Sequence, residues 1–185
     1  MKFSIAILGT CLFFISCSNS NQNKDISKII EEVQSEDTSI SVGSPCELVS
    51  TDDIATICNV AAEFQIDQKD KQYTYPTCVF KWKDGALNTI RKVGSNDITV
   101  ERENELMIVM VGTADEAMFK QSTSIYKESR TIDGIGEMAI WDNKMQQLSF
   151  IGNGQMFHVN VKAVIEKDAN LEIAKKIAEL LISKI

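Results

Sequence analysis

Two stretches near the C-terminal end alternate apolar and polar residues with a period of two, and they flank Gly152-Asn153-Gly154. In Gln147 to Ile151 the apolar positions are Leu148 and Phe150. In Met156 to Val164, Phe157, Val159 and Val161 share one face, and His158, Asn160 and Lys162 share the other. Period two belongs to a strand, because successive Cβ atoms point to opposite faces of a sheet. The Gly-Asn-Gly connection supplies the backbone freedom a tight turn demands. The result is a half-exposed antiparallel meander whose apolar face must be covered. A cover follows directly: in Asp168 to Ser183 the residues Leu171, Ala174, Ile177, Ala178 and Leu181, with Ile185 beyond, fall on one side of a helix. An α+β fold class follows.

Upstream, Ser50 followed at the third position by Asp53 is a capping signal. Ile54, Ile57, Cys58 and Ala61 then make an apolar stripe, which predicts a helix from Thr51 to about Phe64. Gln68 to Tyr75 is polar and Pro76 interrupts it. Cys78, Phe80 and Trp82 then alternate with Val79 and Lys81 as in a strand. Between Asp84 and Asn104 the pattern is ambiguous, with a helical turn expected at Ala86 to Lys92 and a strand at Ile98 to Glu101. Leu106 to Val111 is wholly apolar and reads as a central strand. Thr113 and Glu116 form a capping box for a helix reaching about Lys127. Gly134 and Gly136 lead into a strand at Glu137 to Trp141, and Asp142-Asn143 makes a turn. The expectation for residues 44–185 is therefore one domain, an antiparallel sheet packed by about three helices.

The first residues are of another kind. Met1 to Cys17 carries one charge at Lys2, an apolar run from Ile5 to Ile15, and then Ser16 and Cys17. A run this short falls below the ~20 residues a spanning helix needs, and it ends on a small residue, as a secretory leader does. Phe14-Ile15-Ser16-Cys17 resembles the lipobox of bacterial lipoproteins, with Ile15 bulkier than usual. That resemblance implies that residues 1–16 are removed and that the Cys17 thiol takes a diacylglycerol. It also implies that the new amine is often acylated, and two or three acyl chains make a lasting membrane anchor. Residues 17–43 then form a tether: SNSNQN is too polar to fold, and Ile26, Ile29, Ile30 and Val33 mark a short amphipathic helix. Ser18 stands where aspartate is the familiar signal for inner-membrane retention. The expected location is thus the outer membrane facing the periplasm, if the cell has two membranes.

Pro45-Cys46-Glu47-Leu48-Val49-Ser50, Cys78-Val79-Phe80-Lys81-Trp82 and Gly134-Ile135-Gly136-Glu137-Met138-Ala139, followed by a terminal amphipathic helix, resemble small bacterial envelope lipoproteins of unknown function. The resemblance implies a fold and an envelope location and offers no catalytic residues. Cys58 has no counterpart in that pattern and belongs to an apolar helical stripe, where free cysteine behaves as a small hydrophobe. Cys46 and Cys78 are left as the expected disulfide, suited to an oxidising compartment.

A formal charge of −7, one unit more negative without Lys2, disfavours nucleic acid as a partner. His158 is the only histidine, so a catalytic triad, a Cys-His dyad or a multi-histidine zinc site would all have to share it. No phosphate loop, dinucleotide fingerprint or Gly-x-Ser-x-Gly elbow is present. Cys46, Cys58 and Cys78 with His158 lack the knuckle spacing of a zinc site, and no cofactor is expected. The methionines at 107, 110, 118, 138, 145 and 156 invite a copper(I) reading, but they are scattered over separate elements, as core filler would be. Acidic pairs such as Asp52 with Asp53, Asp115 with Glu116 and Glu101 with Glu103 suit helix starts and solvated segments. The expectation is a lipid-anchored, non-enzymatic envelope domain that binds another envelope protein, a cell-wall component or a small apolar ligand. The rival is an envelope hydrolase using carboxylates or Cys58.

Overall fold

In the computed structural model, residues 43–185 are described. The leader, Cys17 and the Ile26–Val33 stripe lie outside the described residues. The elements in order are α1 (Pro45–Leu48), α2 (Thr51–Cys58), β1 (Asp67–Gln72), β2 (Pro76–Trp82), β3 (Thr89–Val93), β4 (Asn96–Val100), β5 (Asn104–Thr113), α3 (Glu116–Thr123), β6 (Ser129–Thr131), β7 (Met138–Asp142), β8 (Gln147–Gly152), β9 (Gln155–Lys162) and α4 (Lys167–Lys184). Seven strands form one antiparallel sheet in the order β1-β2-β5-β9-β8-β7-β6, while β3 and β4 pair only with each other. The fold is α+β.

Register turns the alternation of the sequence into continuous apolar rows. Phe80 lies opposite Leu106, Leu106 opposite Val161, Ile108 opposite Val159, and Phe157 opposite Phe150. The Phe150 and Phe157 rings stack with centroids 5.4 Å apart. These rows form one face of the sheet, and α4 covers it with Ala174, Ile177, Ala178 and Leu181, all fully buried. Burying such a Leu or Ile side chain is worth ~1.5 to 3 kcal/mol, which makes this layer the main source of stability. Ile54 of α2 joins the same core, and Lys184 of α4 reaches the Leu48 carbonyl at 2.6 Å and Asp53 at 3.3 Å. Asn170, fully buried in the first turn of α4, accepts from the N–H groups of Ala163 and Val164. It also donates to the Val164 carbonyl, fixing the corner between β9 and the helix.

The opposite face of the sheet is not open meander. Phe119 of α3 packs with Ile151 and Met156, supported by Val111, Ala114, Met138 and Ile140, so β9 is buried over much of both sides. This corrects the half-exposed meander expected from the alternation of His158 and Asn160 with Phe157 and Val159. Polarity on a face shows that it is not the main core, but it does not show that the face meets water.

Other differences are local. The helix expected to reach Phe64 ends at Cys58, because Asn59 adopts the left-handed conformation at φ 55° and closes it. Ser50 and Asp53 do form the reciprocal capping box. For α3 the N-cap is Asp115 rather than Thr113: its carboxylate accepts from the Met118 N–H at 2.8 Å, and the helix stops at Thr123. Ala86 to Lys92 makes no helical turn. Its second half is β3, paired with β4 across the two-residue loop Gly94-Ser95. The charged segment from Asp67 to Gln72 is an edge strand, exposed along its whole length and therefore without an apolar signature. Among the described residues four helices stand where about three are expected, since α1 is a four-residue helix capped by Ser44.

Candidate functional site

Residues that could carry chemistry collect on the face covered by α3. Tyr126, just after α3, and Ser122, on it, approach the strand residues Gln147, Ser149 and His158. Gln147 and Ser149 lie on β8, and Ser149 faces His158 of β9 directly. The Tyr126 Oη lies 2.5 Å from Ser149 Oγ, which lies 2.6 Å from His158 Nδ1. The other ring nitrogen, Nε2, is 3.3 Å from Ser122 Oγ. Gln147 Nε2 donates to the Tyr126 hydroxyl. Burial raises the Tyr126 phenol above its usual value, so it keeps its proton. Burial lowers His158 from 6.5 to about 4, so the ring is neutral at pH 7.

One direction of donation leaves no polar hydrogen of Tyr126, Ser149 or His158 without an acceptor. Gln147 donates to Tyr126, Tyr126 to Ser149, Ser149 to Nδ1, and the Nε2 hydrogen to Ser122, a tautomer assigned from the network. This order decides what the cluster can do. Ser122, half-buried, faces an N–H and cannot pass its own proton to the ring. Ser149 faces the imidazole lone pair but has no exposed surface. No carboxylate touches the ring to stabilise an imidazolium, which a Ser-His-Asp arrangement requires. The cluster ties α3 and the Tyr126 turn to the sheet.

The cysteines are placed as differently. Cys46 and Cys78 are joined by a disulfide between α1 and β2, with Cα atoms 5.0 Å apart. Their sulfurs are thereby removed from any set of metal ligands with Cys58. Cys58 is free, and burial, helped by the Asp84 charge, pushes its thiol up to about 12. It is protonated at neutral pH and is a poor nucleophile. The acidic pairs serve elsewhere: Asp53 and Asp115 cap helices, and Glu103 pairs with Lys81 at 3.0 Å. Met110 lies in the main core and Met156 under α3, while Met118 and Met145 face solvent. Among the described residues no three His, Cys, Asp or Glu side chains gather as a metal site would require. Among them, too, no helix is long and apolar enough to cross a membrane.

Surface depressions are of mixed charge. Two of them share Arg130 and Asp168, ion-paired at 2.7 Å, with Glu128, Lys167 and Glu172 nearby. The surface feature that stands apart is the β3–β4 hairpin, where Ile90, Val93 and Ile98 are 73%, 54% and 48% exposed. Every residue of its strands is exposed except Val100, which is half-buried. Sequence reasoning missed β3, although Gly94-Ser95, with Ile90 and Val93 before it and Ile98 and Val100 after it, is a hairpin-loop signal. Compared with protein-family models, with curated proteins and with solved structures, the chain matches none.

Proposed function

We propose that this chain is a lipid-anchored envelope protein whose domain is a non-catalytic interaction module. In this reading Cys17 carries the lipid, residues 17–43 are the tether, and the domain stands at the outer membrane facing the periplasm if the cell has two membranes. The observation that carries the module reading is the β3–β4 hairpin. Among the described residues this ribbon hydrogen-bonds to no other strand, and it exposes Val93 and Ile98 on one face and Ile90 on the other; apolar side chains gathered in solvent on an unpaired ribbon suit an interaction site. The hydrolase alternative is weakened by the Cys58 thiol, protonated at neutral pH, and by the Ser122-His158 pair, in which burial holds the ring neutral and no carboxylate backs it.

Two experiments test the reading. Cells fed labelled palmitate should incorporate label into the wild-type chain and not into Cys17→Ser; an unlabelled wild type rejects the anchor. A panel of ester, amide and glycoside substrates should show no turnover by the purified protein. Turnover abolished by alkylating Cys58, or by replacing an acidic pair, rejects the non-catalytic assignment.

A further inference from the structure

We infer that the outer edge of β4 pairs with the same edge of a second copy of this chain. This deepens the module reading by naming its partner. Gly94, at φ 65°, takes the first central position of the two-residue loop, and Val93 and Asn96 flank it. Flanking residues of such a hairpin exchange both backbone hydrogen bonds, and the bonded and non-bonded pairs then alternate along the ladder. Asn96, Ile98 and Val100 therefore bond to β3. The N–H and C=O groups of Asp97 and Thr99 point away from it, and no other backbone group among the described residues takes them up.

A free edge is a template for another strand, and charges normally guard it. Here they select a partner. A two-fold axis through Ile98 sets Asp97 against Thr99 of the other copy in both directions, so these residues exchange four hydrogen bonds. Ile98 meets Ile98, and Asn96 meets Val100. No like charges are opposed. Centring the axis one residue earlier opposes Asp97 to Asp97, and one residue later it opposes Asp97 to Glu101; like charges facing each other are destabilising. On β3, the register that pairs its two outward residues, Ile90 and Lys92, opposes Arg91 to Arg91. The β4 edge thus fits its own copy in one register. In the four-stranded ribbon that results, Val93, Ile98 and Val100 of both copies lie on a single face, since residues paired across a ladder share a side. The contact is isologous and closes at two copies.

Position-specific cross-linking tests this in membranes from cells making the full chain, with Cys58→Ser as background. Across the two-fold, Ile98 forms a non-hydrogen-bonded pair with Cα atoms ~4.5 Å apart, within disulfide range. Asp97 lies ~8.5 Å from its copy, outside that range. Under mild oxidation Ile98→Cys should give a reducible band of twice the chain's mass, and Asp97→Cys should not. Adding Thr99→Pro, which removes an outward N–H and leaves the hairpin's own ladder intact, should abolish the band. No dimer from Ile98→Cys, equal dimer from Asp97→Cys, or a disulfide from position 98 to a different protein overturns the inference. If palmitate still labels the chain in any of these cases, the anchored-module reading stands and only its partner is lost.

Discussion

Acidification should destabilise this protein through His158 before its carboxylates matter, and the size of the effect follows from the ring's surroundings. Both nitrogens face hydroxyl groups, no carboxylate touches the ring, and burial lowers its pKa from 6.5 to about 4. The unfolded chain takes the proton first, so between pH 6.5 and 4 it binds more protons than the folded one. The contribution to stability is therefore complete above pH 6.5, declines as the pH falls, and is gone below about pH 4. At 1.36 kcal/mol per pKa unit the loss amounts to ~3 kcal/mol. Protonation also places a hydrogen on Nδ1, where Ser149 now donates, so the Tyr126-Ser149-His158 order must reverse. The measurement is the urea midpoint, followed by fluorescence of Trp82 and Trp141, for wild type and His158→Gln at several values from pH 8 to 4. Glutamine keeps a donor and an acceptor but does not titrate. At pH 8 the variant should be less stable by ~1 to 3 kcal/mol, and this deficit should shrink as the pH falls. Asp53 and Asp142 have carboxyls held below 3.8 and lose their contributions only as the pH falls below that value, in both proteins alike. Parallel midpoint curves, or an imidazole titration near 6.5 by NMR, would refute the reasoning.

Four further outcomes are expected. Replacing Cys46 and Cys78 by alanine opens a loop of sequence separation 32 and should cost ~3 to 4 kcal/mol by the chain-entropy estimate, measured as urea midpoints with and without reductant. Gly136→Ala should cost more than ~2 kcal/mol, because its Cβ would stand 2.0 Å from the Ile151 carbonyl oxygen at φ 54°; Gly154→Ala, with open space around it, should cost only ~1 to 2 kcal/mol by thermal melting. Asn170→Ala leaves the Ala163 and Val164 N–H groups without their acceptor in a buried corner and should cost ~2 to 4 kcal/mol in the same melts. Cys58, with its thiol at about 12, should resist a disulfide reagent at pH 8 until denaturant is added; rapid labelling of the native protein would contradict its burial.

By itself the sequence determined the elements that bury an apolar stripe. Phe157, Val159 and Val161, Cys78, Phe80 and Trp82, and the Leu171 to Leu181 side of α4 all lie in the core, because a period of two or of 3.6 is a direct image of which side meets water. It also determined the Ser50-Asp53 cap, whose chemistry is local. Tertiary structure alone decided the rest. The edge strand β1 holds by backbone pairing, which carries no side-chain period, so DQKDKQ reads as a loop until its partner strand is in place, whereas the strand expected at Ile98 to Glu101 is there as β4. Likewise, His158, Ser149, Tyr126 and Ser122 are separated by as many as 36 positions, and nothing in the spacing of a lone histidine tells which hydroxyls will face it. Their hydrogen-bond order depends on α3 crossing the second face of the sheet, a long-range packing choice set by Phe119 against Ile151 and Met156 rather than by any local signal.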